Sequence, residues 1–223
     1  LEKRIETQVV QAATKWKRMA LKQFGCEVGE GICTDMRAVR KDYFLDHDHS
    51  AYVDQWDWEL AITKDMRNLD FLRDVVGRIW SVIYEAGQMV KKDFPGLNTD
   101  KYPDIPKKLE FYHAEEILER FPDFTRKQRE TKMVQEVHPA IFIIGIGYVL
   151  EDGYPHEMRA ADYDDWISPT IKKNGKQFHG LNGDILVWNP VTKRRHELTS
   201  MGIRVTKETL VQQLKEAGQE HFL

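Results

Sequence analysis

The sequence predicts an α+β fold, with antiparallel strand pairs flanked by helices rather than strictly alternating with them. Three observations carry this. Residues 32–39 and 50–59 read as the two strands of a long hairpin joined by the charged loop "RKDYFLDHDH". From residue 68 to 94 apolar side chains recur at helical spacing for seven turns. Towards the end, "DILVWNP" and "HELTSMGIRV" read as a second strand pair, followed by a helix with Thr206 as N-cap. No linker or low-complexity run divides residues 1–223, so a single domain is expected.

The elements follow in order. An extended run over residues 5–11 leads into "AATKWKRMALKQFG", whose Ala13, Ala20, Leu21 and Phe24 share a helical face that stops at Gly25. Lys17 falls on that face, either snorkelling outward or reaching into a site. In "YVDQWDWE", alternation puts Val53, Gln55, Asp57 and Glu59 on one face and Tyr52, Asp54, Trp56 and Trp58 on the other. The aromatic face is expected against a core, and the acidic face needs a cation. His47 and His49 have no third ligand nearby and read as a solvated loop.

In the long helix Leu69, Leu72, Val75, Val76, Ile79, Trp80, Ile83, Met89 and Val90 are expected in the core. "KLEFYH" reads as a strand, "AEEILERF" and "FTRKQRETKMVQEV" as helices, and "AIFIIGIG" as a buried strand. The irregular "EDGYPHEMRAADYDDW" that follows has the polar character of an active-site loop.

Composition narrows the partners. With 41% hydrophobic and 31% charged residues and a net charge of −3, the chain has no general pull on nucleic acid. Its longest apolar run, "PAIFIIGIGYVL", is too short to span a bilayer, and "LEKRIETQ" is no signal peptide. Cys26 and Cys33 form no CxxC pair and read as free thiols, so a cytoplasmic location is expected. The start at Leu1 suggests a segment of a longer protein.

Three acidic groups stand out: Asp57 with Glu59, the run 162–165, and Asp184 with Glu197 across a strand pair. Each alone is more often a solvated strand end or loop than a site. Together, hard carboxylates from different strands suit magnesium, which takes its remaining oxygens from water and phosphate. No Walker loop is present, and "GIG" and "GLNGD" are too short to cradle phosphates. Arg40, at the end of the first hairpin strand, offers a guanidinium for a phosphate instead.

An arginine at that strand end, an acidic second strand, and Glu197, Ser200 and Arg204 spaced E-x-x-S-x-x-x-R resemble the class II aminoacyl-tRNA synthetase core, aspartyl branch. The chain is more similar still to the ammonia-dependent, A-type asparagine synthetases (aspartate–ammonia ligases) built on that core. The resemblance lies in "TKWKR", "GEGICTDMRAVR", "YVDQWDWE", "RAADYDDW", "GLNGDILVWNP" and "ELTSMGIRV". It implies a class II synthetase-like antiparallel β-sheet of eight strands flanked by α-helices, with Trp56 and Trp58 packed against helices. It implies ATP and Mg2+, with L-aspartate and ammonia as the other substrates, and a homodimer with no nucleic acid or membrane partner.

Roles by residue are likewise implied. Lys17, Gln55, Asp57, Ser200 and Arg204 bind aspartate, with Ala12 at the same subsite. Arg40, Glu59, Arg159 and Asp184 lie on the ATP side, and Asp184 with Glu197 holds the metal. Arg40, Lys17 and Asp164 carry the chemistry, Asp164 as proton acceptor for ammonium. The match departs at "QAATKWKR", where the family reads "HSLAKWKR", so Gln11 and Ala12 replace a histidine and a serine. Motif 1 and the glycine-rich motif 3 are not in this sequence. A segment of a full enzyme and a degenerate paralogue that binds aspartate or a partner are the two readings; an aspartyl-tRNA synthetase relative would call for an anticodon-binding domain or a basic surface.

Overall fold

The structure, a computed structural model, describes residues 13–39 and 50–223. Contacts divide the chain into two compact units, Leu1–Met66 and Arg67–Leu223.

In the first unit a 3-10 turn, Ala13–Lys15, runs into helix α1, Trp16–Gln23. The helix ends as expected at Gly25: Cys26 N–H donates to Leu21 O (2.9 Å) and Gly25 N–H to Lys22 O (3.2 Å), the paired bonds that close a helix through a left-handed glycine. Strands β1, Gly31–Val39, and β2, Tyr52–Leu60, pair antiparallel without a break, from Gly31 opposite Leu60 to Val39 opposite Tyr52.

The period-two reading of β2 holds, but the covered face is the other one. Asp57 and Glu59 are buried, whereas Trp56 is 87% exposed and Tyr52 51%. The expectation that Trp56 packs against a helix is therefore corrected. Alternation separates two faces without saying which one is covered; here a buried lysine offsets the charge and lets the acidic face go inside.

The second unit begins with α2, Leu69–Asp93, capped by Asn68, whose side chain accepts from Phe71 N–H at 2.9 Å. Leu69, Leu72, Val75, Val76 and Trp80 are buried, but Met89 and Val90 are exposed, against expectation. At 1.5 Å per residue the helix is about 37 Å long, which outruns the short strands of this unit.

Next come β3, Glu110–His113, α3, Ala114–Arg120, and α4, Arg126–Lys132, which continues as a π turn over Met133–Val137. Strand β4, Ala140–Ile144, is buried along its whole length, as its apolar run predicts. A hairpin of β5, Pro169–Lys173, and β6, Lys176–His179, precedes the pair β7, Asn182–Asn189, and β8, Arg194–Gly202; helix α5, Lys207–Glu216, follows behind its Thr206 cap, with a 3-10 turn, Glu220–Phe222, after it.

The main sheet has the order β3-β4-β7-β8, antiparallel except that β3 runs parallel to β4. That exception follows from the connection: α3 and α4 form the crossover that parallel neighbours require. Among the described residues the strands form sheets of two, four and two strands, not one of eight. On one side of the main sheet, Ile141, Ile143 and Leu186 pack with Ile117, Leu118, Met133 and Val134 of α3, α4 and the π turn. A smaller cluster joins Leu214 of α5 to Ala161, Trp166 and Ile167.

Candidate active site

In the first unit the acidic face of β2 meets a buried lysine. Lys17 is fully buried and forms an ion pair with Asp57, its ammonium 5.1 Å from the Trp16 ring centroid. Of the two readings of Lys17, the inward one is realised. Thr34, opposite Asp57 in the register, donates its hydroxyl to Asp57 O at 3.3 Å. Gln55 is half-buried on the same face, and Glu59 is buried at its end. Arg40, Ala12, Gln11, His47 and His49 lie outside the described residues.

In the second unit the chemistry gathers on β7 and β8. Asp184 lies directly opposite Ser200, while Glu197 pairs with Leu186, because the register slips by one residue between Ile185 and Leu186 and leaves Leu198 as a bulge. The approach of β7 to β4 is close: a Cβ on Gly183 would fall 2.0 Å from Ile143 O, so only glycine fits beside Asp184. Arg159, from the loop before β5, sets one guanidinium nitrogen against both carboxylate oxygens of Asp184. Its Nε is buried and has no hydrogen-bond partner among the described residues.

Burial, together with the nearby Glu197 carboxylate, pushes Asp184 up to about 7, although Arg159 and a hydrogen bond from Ser200 pull it down. Partial desolvation raises Glu197 too, beside the charge of Glu157 and against the pull of Arg159, although the residue is exposed on β8. The two contacts between Arg159 and Asp184 by themselves argue for a charged carboxylate. The net upward direction stands because Asp184 is buried with the Glu197 carboxylate near it and the Arg159 guanidinium against it, while Glu197 itself is exposed on β8.

Asp164 and Arg204 form an ion pair and a backbone bridge, and the Arg204 guanidinium lies 3.7 Å from the Tyr163 ring centroid. The segment is held from α5: Gln213, fully buried, donates to Ala161 O and Asp164 O at 2.9 Å each and accepts from Trp166 N–H at 2.9 Å. Asp165 is committed to structure, since it accepts from Ser168 N–H, the Ser168 hydroxyl and Arg67 (2.9, 2.8 and 2.7 Å). Asp162 is half-buried.

Arg159, Asp184, Glu197 and Ser200 are thus brought together in the second unit, with Asp164 paired to Arg204 in the same unit, and Lys17, Asp57, Gln55 and Glu59 in the first. Sequence reasoning did not find Arg67 or Gln213. Neither leaves a local signal, since Arg67 sits before an N-cap and Gln213 sits amid a polar helix. Among the described residues no three His, Cys, Asp or Glu side chains form a metal-binding group, and no helix is long and apolar enough to cross a membrane.

Solved structures place the fold among the class II aminoacyl-tRNA synthetases. An aspartyl-tRNA synthetase from Entamoeba histolytica superposes with a TM-score of 0.62 at 15% identity, covering 96% of this chain and 43% of that one. The asparaginyl-tRNA synthetase of the same organism, in complex with asparaginyl-adenylate, gives 0.59 at 14% identity, covering 94% and 45%. Within that fold the chain belongs to the aspartate-ammonia ligase family, whose model matches residues 2–223. It is 45% identical over 209 residues to the aspartate--ammonia ligase of Parabacteroides distasonis, covering 94% of this chain and 58% of that protein. It is 45% identical over 218 residues to that of Bacteroides fragilis, covering 98% and 61%. The chain therefore spans about three fifths of the length of these curated relatives.

Proposed function

We propose that the protein to which this chain belongs makes L-asparagine from L-aspartate and ammonia with ATP, releasing AMP and diphosphate through a β-aspartyl-adenylate. One observation carries the reading above the others: the family match over residues 2–223, with 45% identity to relatives named as aspartate--ammonia ligases.

The site residues fit the chemistry. The resemblance assigns Lys17 and Arg204 to substrate carboxylates, each of which would share a cation now paired with Asp57 or with Asp164. The row Gln55, Asp57 and Glu59 suits an ammonium group. Asp184, buried, and Glu197, exposed on β8, are hard carboxylates both raised in pKa and suit magnesium, while the undonated Nε of Arg159 offers a hydrogen bond to phosphate oxygen. When bound, magnesium would supply Lewis-acid stabilisation of the polyphosphate.

In the first step a side-chain oxygen of aspartate attacks the α-phosphorus; the P–O bond to the β-phosphate breaks and diphosphate leaves. Arg40, carried over by the resemblance, neutralises the charge that builds on the α-phosphate. In the second step the ammonia nitrogen attacks the acyl carbon, AMP leaves, and the extra proton passes to a carboxylate, for which Asp164 is assigned. A homodimer and a cytosolic location belong to the same reading. The test follows labelled ATP in the full-length protein given aspartate and ammonium: AMP, diphosphate and asparagine in equal amounts are expected, and ADP with phosphate would overturn the adenylate route.

A further inference from the structure

Glu130 of α4 is 5% exposed and lies between two donors from distant parts of the second unit. His156 Nε2 meets its Oε1 at 3.0 Å, and Arg195 Nη1 meets its Oε2 at 3.1 Å. An ionised carboxylate only accepts, so His156 carries a proton on Nε2 in this contact. The other ring nitrogen, Nδ1, is buried and without a hydrogen-bond partner among the described residues, so the ring is oriented through Glu130. Nothing in the ligase reaction above uses this trio, of which Glu130 and His156 are buried and Arg195 half-buried.

Its location gives it a use. His156 stands three residues before Arg159, and Arg195 two residues before Glu197. One carboxylate therefore ties down both segments that deliver groups to Asp184. On β8 the bulge at Leu198 separates Glu197 from Ser200, which is fixed opposite Asp184. A bulge bends its strand and turns the side chains beside it, so the aim of Glu197 depends on what holds the strand on the near side, where Arg195 adds a side-chain tie to Glu130 beyond the pairing with β7. Helix α4 also reaches the loop through Arg129 to Asp152 and Arg126 to Glu157, each at 3.3 Å, but those contacts are more exposed. A buried ion pair adds little net stability over an apolar replacement. Its distinctive product here is direction.

We propose that Glu130 is a positioning residue: through His156 and Arg195 it sets how Arg159 and Glu197 are aimed at Asp184, and thereby how tightly that cluster holds a divalent cation complexed with a triphosphate. The inference rests on the reading of Asp184 and Glu197 as the metal–nucleotide site.

The test uses the full-length protein and Mn2+ with ATP as probe. Glu130→Gln keeps volume and still accepts from His156, but turns an amide towards Arg195. Calorimetric titration is expected to show Mn2+–ATP binding weakened about tenfold, as for other groups that orient metal ligands, with the aspartate KM within twofold of wild type. Arg126→Ala, on the exposed tie, is expected to leave both unchanged. Unchanged Mn2+–ATP binding in Glu130→Gln overturns the proposal, and so does an equal loss of nucleotide and aspartate binding that follows the folded fraction. Should Glu130→Gln not fold, Arg195→Gln is held to the same split. A wild-type protein that binds Mn2+–ATP but makes no asparagine overturns the proposed function and leaves this comparison decisive; one that does not bind Mn2+–ATP overturns both.

Discussion

Lys17 and Asp57, 40 residues apart in sequence, form an ion pair in which the lysine is fully buried and the carboxylate nearly so. Removing one partner of such a pair leaves the other charge inside without compensation. Lys17→Ala is expected to destabilise the protein by about 3–5 kcal/mol, whereas Lys17→Met combined with Asp57→Asn recovers most of the loss. Urea denaturation of the three variants measures this. Equal stability of Lys17→Ala and wild type would mean that the pair is open to water in solution.

Two groups give opposite pH dependences of stability over the same range. His113, buried and in contact with His179 O at 2.8 Å, is pushed down to about 4, chiefly by burial. Its unfolded form takes up a proton from about pH 6.5 downward while the folded form does not, so this group costs stability as pH falls from 6.5 to 4. Asp184, raised to about 7, works the other way: its contribution is present below pH 3.8 and is lost as pH rises through 7. Relative to wild type, His113→Asn should lose stability and Asp184→Asn should gain it as pH rises from 4 to 6.5, each by up to about 1.4 kcal/mol per pH unit. Thermal unfolding at a series of pH values reads both slopes, and matching profiles for the two variants would refute the assignment.

On the proposed reading, Asp184→Asn and Glu197→Gln should each raise the magnesium requirement and suppress exchange of labelled diphosphate into ATP, by tenfold or more, because each would remove a hard oxygen ligand. Asp164→Asn should retain exchange while asparagine formation falls, since in the proposed mechanism only the second step uses Asp164 as base. Loss of exchange in Asp164→Asn would move that residue to the first step.

Trp56, at 87% exposed, should be freely quenched by iodide, and Trp56→Phe should remove that quenchable component from the fluorescence of the 223-residue chain. The same substitution should change stability by less than about 0.5 kcal/mol. A cost of several kcal/mol would return Trp56 to a core.

The sequence by itself determined the local elements, because their signals are local: alternation in β2, helical spacing in α2, the glycine stop at Gly25, and Thr206 as a cap. It also carried the family, through motifs long enough to be specific. A readable turn was passed over. "KNGK" joins β5 to β6 with Asn174 and Gly175 both at positive φ, the asparagine–glycine pattern of a tight hairpin.

Tertiary structure alone decided the rest. Which face of β2 is covered depends on the position of Lys17, which lies on another element, and the apolar stripe around Lys17 fits inward and outward readings equally. Sequence placed Asp184 and Glu197 on neighbouring strands, but the bulge at Leu198 made Ser200 the partner of Asp184, and a one-residue slip leaves no periodic trace. Arg67 reaches Asp165 across 98 residues, Arg159 reaches Asp184 across 25, and Glu130 gathers His156 and Arg195. Burial and charge pairing are properties of what the folded chain brings together, so neighbours in sequence determine helix and strand, while the protonation and aim of the site residues are set by groups far along the chain.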